Sequence, residues 1–86
     1  MDKNIKDLDK FSLEEILEYK FDCLLEHVNP SKSNNHNFYN IVLESIEKSL
    51  FKKVISKTGN NQSKASEMLG INRNTLKKKL LKYNLI

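Results

Sequence analysis

At 86 residues and 10.1 kDa the chain holds one domain at most and buries only about 60 to 65% of the surface its unfolded form exposes, so a second chain would help it. Apolar residues at 38% and charged ones at 30%, with two glycines, one proline and no tryptophan, favour an all-α fold over turn-rich sheets. The formal charge of +4 is uneven: residues 1–58 carry nine lysines against ten acids, and residues 59–86 six Lys or Arg against Glu67 alone. A basic third on a near-neutral body is the footprint of a polyanion partner, with nucleic acid ahead of an anionic membrane.

The opening MDKNIKDLDK has no apolar h-region, and no apolar run approaches the ~18 residues that span a bilayer. A cytoplasmic protein without a membrane partner is expected, with residues 1–11 as a short charged arm. Ser12 and Glu15 then form a helix-start signature, with Phe11 placed to staple onto Ile16. Apolar residues recur at Leu13, Ile16, Leu17, Phe21, Leu24, Leu25 and Val28, which predicts a helix over 12–28, closed at Asn29 by Pro30. Cys23 stands alone among Phe21, Leu24 and Leu25 and reads as a small core residue. His27 and His36 have no supporting cysteine, so neither a metal nor another cofactor is expected. The stretch SKSNNHN has no apolar residue and reads as a loop.

A second helix is predicted over 38–58. Phe38, Val42, Ile46, Leu50 and Val54 recur at steps of four, flanked by Tyr39, Leu43, Phe51 and Ile55. Two apolar stripes on a helix roughly 31 Å long need cover on two sides. The first helix can supply one cover and a second copy of the chain the other. The expected dimer interface is Leu17, Phe21, Leu24, Tyr39, Leu43, Ile46 and Leu50. Lys52, Lys53 and Lys57 suit the negative end of the helix dipole, and Gly59 suits the position after it.

Residues 59–86 predict two short helices, 62–69 capped by Asn61 and 73–83 capped by Asn72, joined by a turn at Gly70. That is the helix-turn-helix plan, with Ala65, Leu69, Ile71, Leu76 and Leu80 as its small core. On a helical wheel Leu76, Leu80 and Tyr83 fall within about 60° of one another. Asn74 and Lys78 lie opposite, flanked by Thr75, Lys77 and Lys82, and this polar face, Lys82 included, is expected at the nucleic acid. An ordinary solvated helix would mix acids among its lysines, yet no acid follows Glu67. Arg73, Asn74 and Thr75 have the chemistry of base-edge readers, whereas Asn61, Ser63 and Lys64 suit phosphate oxygens. Capping by Asn61 and Asn72 uses only the side-chain oxygen and leaves each amide NH2 for a ligand.

The run GNNQSKASEMLGINRNTLKKKLLKY resembles the Fis family (factor for inversion stimulation) and the related DNA-binding domains that end NtrC-type activators. With a weaker likeness reaching back through Phe38 to the first helix, it covers roughly residues 12–86. The resemblance implies four helices, the first two intertwined into a dimeric four-helix core and the last two forming a helix-turn-helix. It implies a nucleoid-associated homodimer that binds double-stranded DNA, bends it and regulates transcription, with specificity partly indirect. By matching position Asn61, Ser63, Asn72, Arg73, Thr75, Lys77 and Lys78 would contact DNA. Ser63 keeps the hydroxyl of a common threonine, and Lys77 keeps the charge of an arginine without its bidentate fork.

Two positions and the short N-terminal arm depart from the family pattern. Asn60 replaces a common glycine, and Ser49 a proline inside the long helix. The resemblance stops short of recombination stimulation, which in the family uses a longer N-terminal arm. The alternatives are the output domain of an NtrC-type response regulator, for whose ATPase domain the chain has no room, and a basic module for RNA or an acidic protein. No nucleophile elbow, phosphate-cradling loop or small-molecule site is legible, so an enzyme is not expected.

Overall fold

The computed structural model describes residues 8–27 and 37–86. Expectations for residues 1–7, for Val28 to Pro30 and for the loop up to His36 fall outside the described residues. Four α-helices are complete among the described residues: α1 Leu13–Leu25, α2 Phe38–Lys57, α3 Gln62–Leu69 and α4 Arg73–Lys82. The all-α expectation holds. The chain divides between His36 and Asn37 into two compact units. Charge divides there more sharply than it does at Thr58: residues 1–36 carry eight acids and five lysines, and residues 37–86 ten cations against three acids.

In the first unit α1 opens on the predicted capping box. The Ser12 hydroxyl accepts from the Glu15 N–H at 3.1 Å, and Glu15 Oε1 accepts from the Ser12 N–H at 2.9 Å, satisfying two donors that the helix start leaves open. The helix closes at Leu25, earlier than the sequence pattern indicates, and the chain tightens as the His27 N–H turns back to the Leu24 carbonyl at 3.2 Å. Asp22 and Glu26 crowd the negative end of the helix dipole, and no basic residue lies in the last turn to offset them. No residue of α1 is buried; Ile16, Leu17, Phe21 and Cys23 are half-buried, so the thiol is not the enclosed core group its neighbours foretold.

In the second unit α2 runs unbroken for 20 residues through Ser49, where the missing proline removes the cause of a kink. Its last two turns do not serve the use expected of them. Phe51, Val54 and Ile55 are buried with Ala65, Leu76, Leu80 and Tyr83 in one cluster, and Leu69, Ile71 and Leu85 pack on its margin. The five-residue core expected for the helix-turn-helix is therefore too small: α2 contributes the C-terminal part of both its stripes to it. In the N-terminal part of those stripes Tyr39, Leu43, Ile46 and Leu50 stay exposed, and Phe38 and Val42 are half-buried.

Three helix ends in this unit close alike. A left-handed residue stands at each end, Gly59 at φ 60 and Asn84 at φ 55 just after the caps of α2 and α4, and Gly70 at φ 70 as the cap of α3 itself. The next N–H then reaches back five residues: Asn60 to Ile55, Ile71 to Ser66 and Leu85 to Leu80, at 2.9, 3.1 and 2.8 Å. This pattern satisfies carbonyls left open at the helix ends. Asn60, at φ 64, continues left-handed after Gly59, a conformation open to asparagine where most L-residues resist it. Its presence in place of a glycine is thereby accommodated.

Candidate nucleic-acid interface

Local caps position the interface. Asn61 Oδ1 accepts from the Lys64 N–H at 3.0 Å and starts α3; Asn72 Oδ1 accepts from the Asn74 N–H at 2.7 Å and starts α4. Between them Gly70 reverses the chain, and Ile71 tucks against the core. Ser66, the buried polar side chain of α3, donates to the Ser63 carbonyl at 2.8 Å, so its burial leaves no orphan. Leu76 and Leu80 are fully buried, which anchors α4 along one face.

All ten residues expected at the nucleic acid are exposed: Asn61, Ser63, Lys64, Asn72, Arg73, Asn74, Thr75, Lys77, Lys78 and Lys82. The first three lie at the start of α3, Asn72 caps α4, and the rest lie on α4. The α4 stretch from Arg73 to Lys78 offers guanidinium, amide, hydroxyl and ammonium groups without a carboxylate. The positive end of each helix dipole also lies at these starts, which favours an anion. Leu81 is exposed as well, and nothing in the structure explains it.

The basic side chains of α4 fall into two groups, a division the sequence does not announce. Lys79 and Lys82 face α2: Lys79 Nζ lies 3.0 Å from Glu47 Oε1, and Lys82 Nζ 2.8 Å from Glu44 Oε2. Glu47 Oε1 also accepts from the Tyr83 hydroxyl, and the Lys82 ammonium lies 5.4 Å from the Tyr83 ring centre. The acids missing after Glu67 are thus supplied to these two lysines by a distant helix. Lys82 is shared between its expected role and this pairing.

The polar cluster shifts its members' proton affinities. The Tyr83 hydroxyl, ahead of the Lys79 ammonium, holds the Glu47 carboxyl below the usual carboxylate range against the opposing effect of desolvation. The same hydrogen bond, with burial, raises the Tyr83 hydroxyl, and the hydrogen bond to Glu44 raises Lys82. Sequence reasoning missed Glu44 and Glu47. The signal was present: they precede Phe51 by seven and four residues, in line with the buried row of α2.

Among the described residues, no group of acids, histidines and cysteine could hold a metal, and no helix is long and apolar enough to cross a membrane. Two short helices joined by a glycine turn and seated on a long helix define a helix-turn-helix protein. The profile of the bacterial regulatory protein, Fis family, matches residues 42–83. The DNA-binding protein Fis of Buchnera aphidicola is 38% identical over 84 residues, which cover 98% of this chain and 80% of that protein. The chain belongs to the Fis family. A Fis-like DNA-binding protein of Neisseria meningitidis is 54% identical over 48 residues, 56% of this chain, and one of Ralstonia nicotianae 49% identical over 53 residues, 62% of it. The matched stretch spans 61% of the Neisseria protein and 69% of the Ralstonia protein. No solved structure is a significant match.

Proposed function

We propose that the protein is a homodimeric DNA-binding regulator that enters the major groove with α4, bends the duplex and acts on transcription at the nucleoid. The observation that carries this reading is the acid-free, exposed run Arg73, Asn74, Thr75, Lys77 and Lys78 on a helix anchored by Leu76 and Leu80. Family membership supports it, since the matched relatives are named as DNA-binding proteins. Arg73, Asn74 and Thr75 take base edges; Lys77, Lys78 and Lys82, with Asn61, Ser63, Lys64 and Asn72, take phosphates.

Residues 59–86 then form the DNA-binding region, and the two long helices join the copies. Exposed apolar side chains at Tyr39, Leu43, Ile46 and Leu50 support the second part, because a contiguous apolar face on a small soluble protein marks an interaction surface. Leu17, Phe21 and Leu24 of α1 complete the expected interface. Two symmetry-related recognition helices closer together than one turn of DNA would bend it, and the sequence would be read partly through the cost of that bend.

The test is a binding selection on randomised duplex DNA. An enriched site with two-fold symmetry is expected, and Arg73→Ala should weaken the base preference at one position in each half. A selection that returns the input pool unchanged contradicts the reading.

A further inference from the structure

Glu47 occupies an unusual position for an acid in a protein that presents lysines to a polyanion. It projects from the middle of α2 in the row that leads into the buried Phe51, and one oxygen receives both the Lys79 ammonium and the Tyr83 hydroxyl. These two donors lie one helical turn apart on α4. They add a polar tie between α2, one turn before its buried residues begin at Phe51, and the C-terminal half of α4, whose Leu80 and Tyr83 already enter the apolar cluster. The N-terminal half of α4 has apolar burial at Leu76 and the turn at Gly70 to hold it, with no such polar tie to α2 among the described residues.

Resting on the DNA-binding reading, we propose that Glu47 is a positioning residue: by holding Lys79 and Tyr83 it fixes the angle at which α4 is presented to the groove, and so sets sequence discrimination without touching DNA. Lys79 belongs with Glu47 and not with the phosphate-binding lysines. Glu44 is different in kind. Its partner Lys82 and it are each about half exposed, at 49% and 50% of side-chain area, so that pair is solvated and exchangeable, and Lys82 is free to leave it for a phosphate.

Electrostatics and positioning make opposite forecasts for Glu47→Gln. Removing a carboxylate raises the net charge and releases Lys79. If Glu47 were only a repulsive charge, binding to every duplex would tighten alike, with a steeper salt dependence. The positioning role predicts that binding to unrelated duplex tightens while binding to the selected site weakens. The ratio of the two affinities should then fall roughly tenfold, as expected for a lost charge-assisted hydrogen bond or two. Tyr83→Phe keeps the ring and the charge but loses the hydroxyl, and should lower the same ratio with the salt slope unchanged. Glu44→Gln should tighten both duplexes equally and leave the ratio unchanged.

The measurement is a pair of titrations, selected and unrelated duplex, for each folded variant across a salt series. A fallen ratio in both Glu47→Gln and Tyr83→Phe supports the proposal. Equal tightening of both duplexes in Glu47→Gln, or an unchanged ratio in Tyr83→Phe, overturns it. Failure of the unaltered protein to bind either duplex would instead overturn the DNA-binding reading, so the two failures are distinguishable.

Discussion

Individual side chains of the proposed interface divide by what their chemistry can distinguish. A guanidinium at the start of α4 can pair with two acceptors of a guanine, whereas an ammonium meets a phosphate as a point charge. Arg73→Ala should therefore cost about 1 to 3 kcal/mol on the selected site and relax preference there, measured against single-base variants. Lys78→Ala should weaken all duplexes alike and reduce the salt slope by about one. Gly70 makes a different demand. At φ 70, with no atom within 4 Å of an added Cβ, Gly70→Ala is a test of backbone strain alone and should lower stability by about 1 kcal/mol in a thermal melt.

The polar cluster gives a pH dependence with a definite sign. The Glu47 carboxyl is held below its ordinary value of 4.5, so its contribution to stability is present above that pH and is lost as pH falls through the depressed folded value. Tyr83 is raised above its ordinary 10.0, so its contribution is present below that pH and is lost as pH rises through the raised value. The melting-temperature gap between the unaltered protein and Glu47→Gln should be constant near neutrality and shrink on acidification below about pH 4.5. A gap that stays constant down to pH 3 would contradict the assignment.

Among the elements, the helix-turn-helix was the most legible, because its signals are local. Asn61 and Asn72 cap helices that begin one residue later, and Gly70 takes the left-handed turn its place between them requires. Two features were not legible. The use of α2 by the second unit depends on contacts over more than twenty residues of chain, and a stripe of Phe51, Val54 and Ile55 looks the same whether its cover is a copy of the chain or α4. Glu47 meets Lys79 and Tyr83 across 32 and 36 residues, beyond the reach of any helical period. The left-handed Asn84 was missed for a local reason: an asparagine before an apolar Leu85 is an adequate helix end, but a weaker one than glycine.

The shared core makes α2 and the helix-turn-helix one folding unit. Leu80 is fully buried where α4 enters the cluster that includes Phe51, Val54 and Ile55. Leu80→Ala should destabilise the protein by about 2 to 5 kcal/mol in denaturant melts, and the loss should register on probes in α2 and α4 together. If α4 melts first while α2 is unaffected, the two elements do not fold as one.

On the scale of the whole molecule, segregated charge and unfilled apolar surface account for each other's place. The residues from Asn37 onward carry ten of the fifteen cations against three acids, and the first unit is net acidic, so a polyanion has one end of the chain to prefer. α1 buries nothing fully, and α2 leaves Tyr39, Leu43, Ile46 and Leu50 open, which fits a protein completed by its second copy. The central claim, that two chains act together on one duplex, is tested most directly by sedimentation of the protein with a duplex carrying the selected site. The account predicts a complex of one duplex with two chains, lost when Ile46→Asp disrupts the apolar face. A complex of one duplex with one chain, or undiminished binding by a monomeric Ile46→Asp protein, would contradict it.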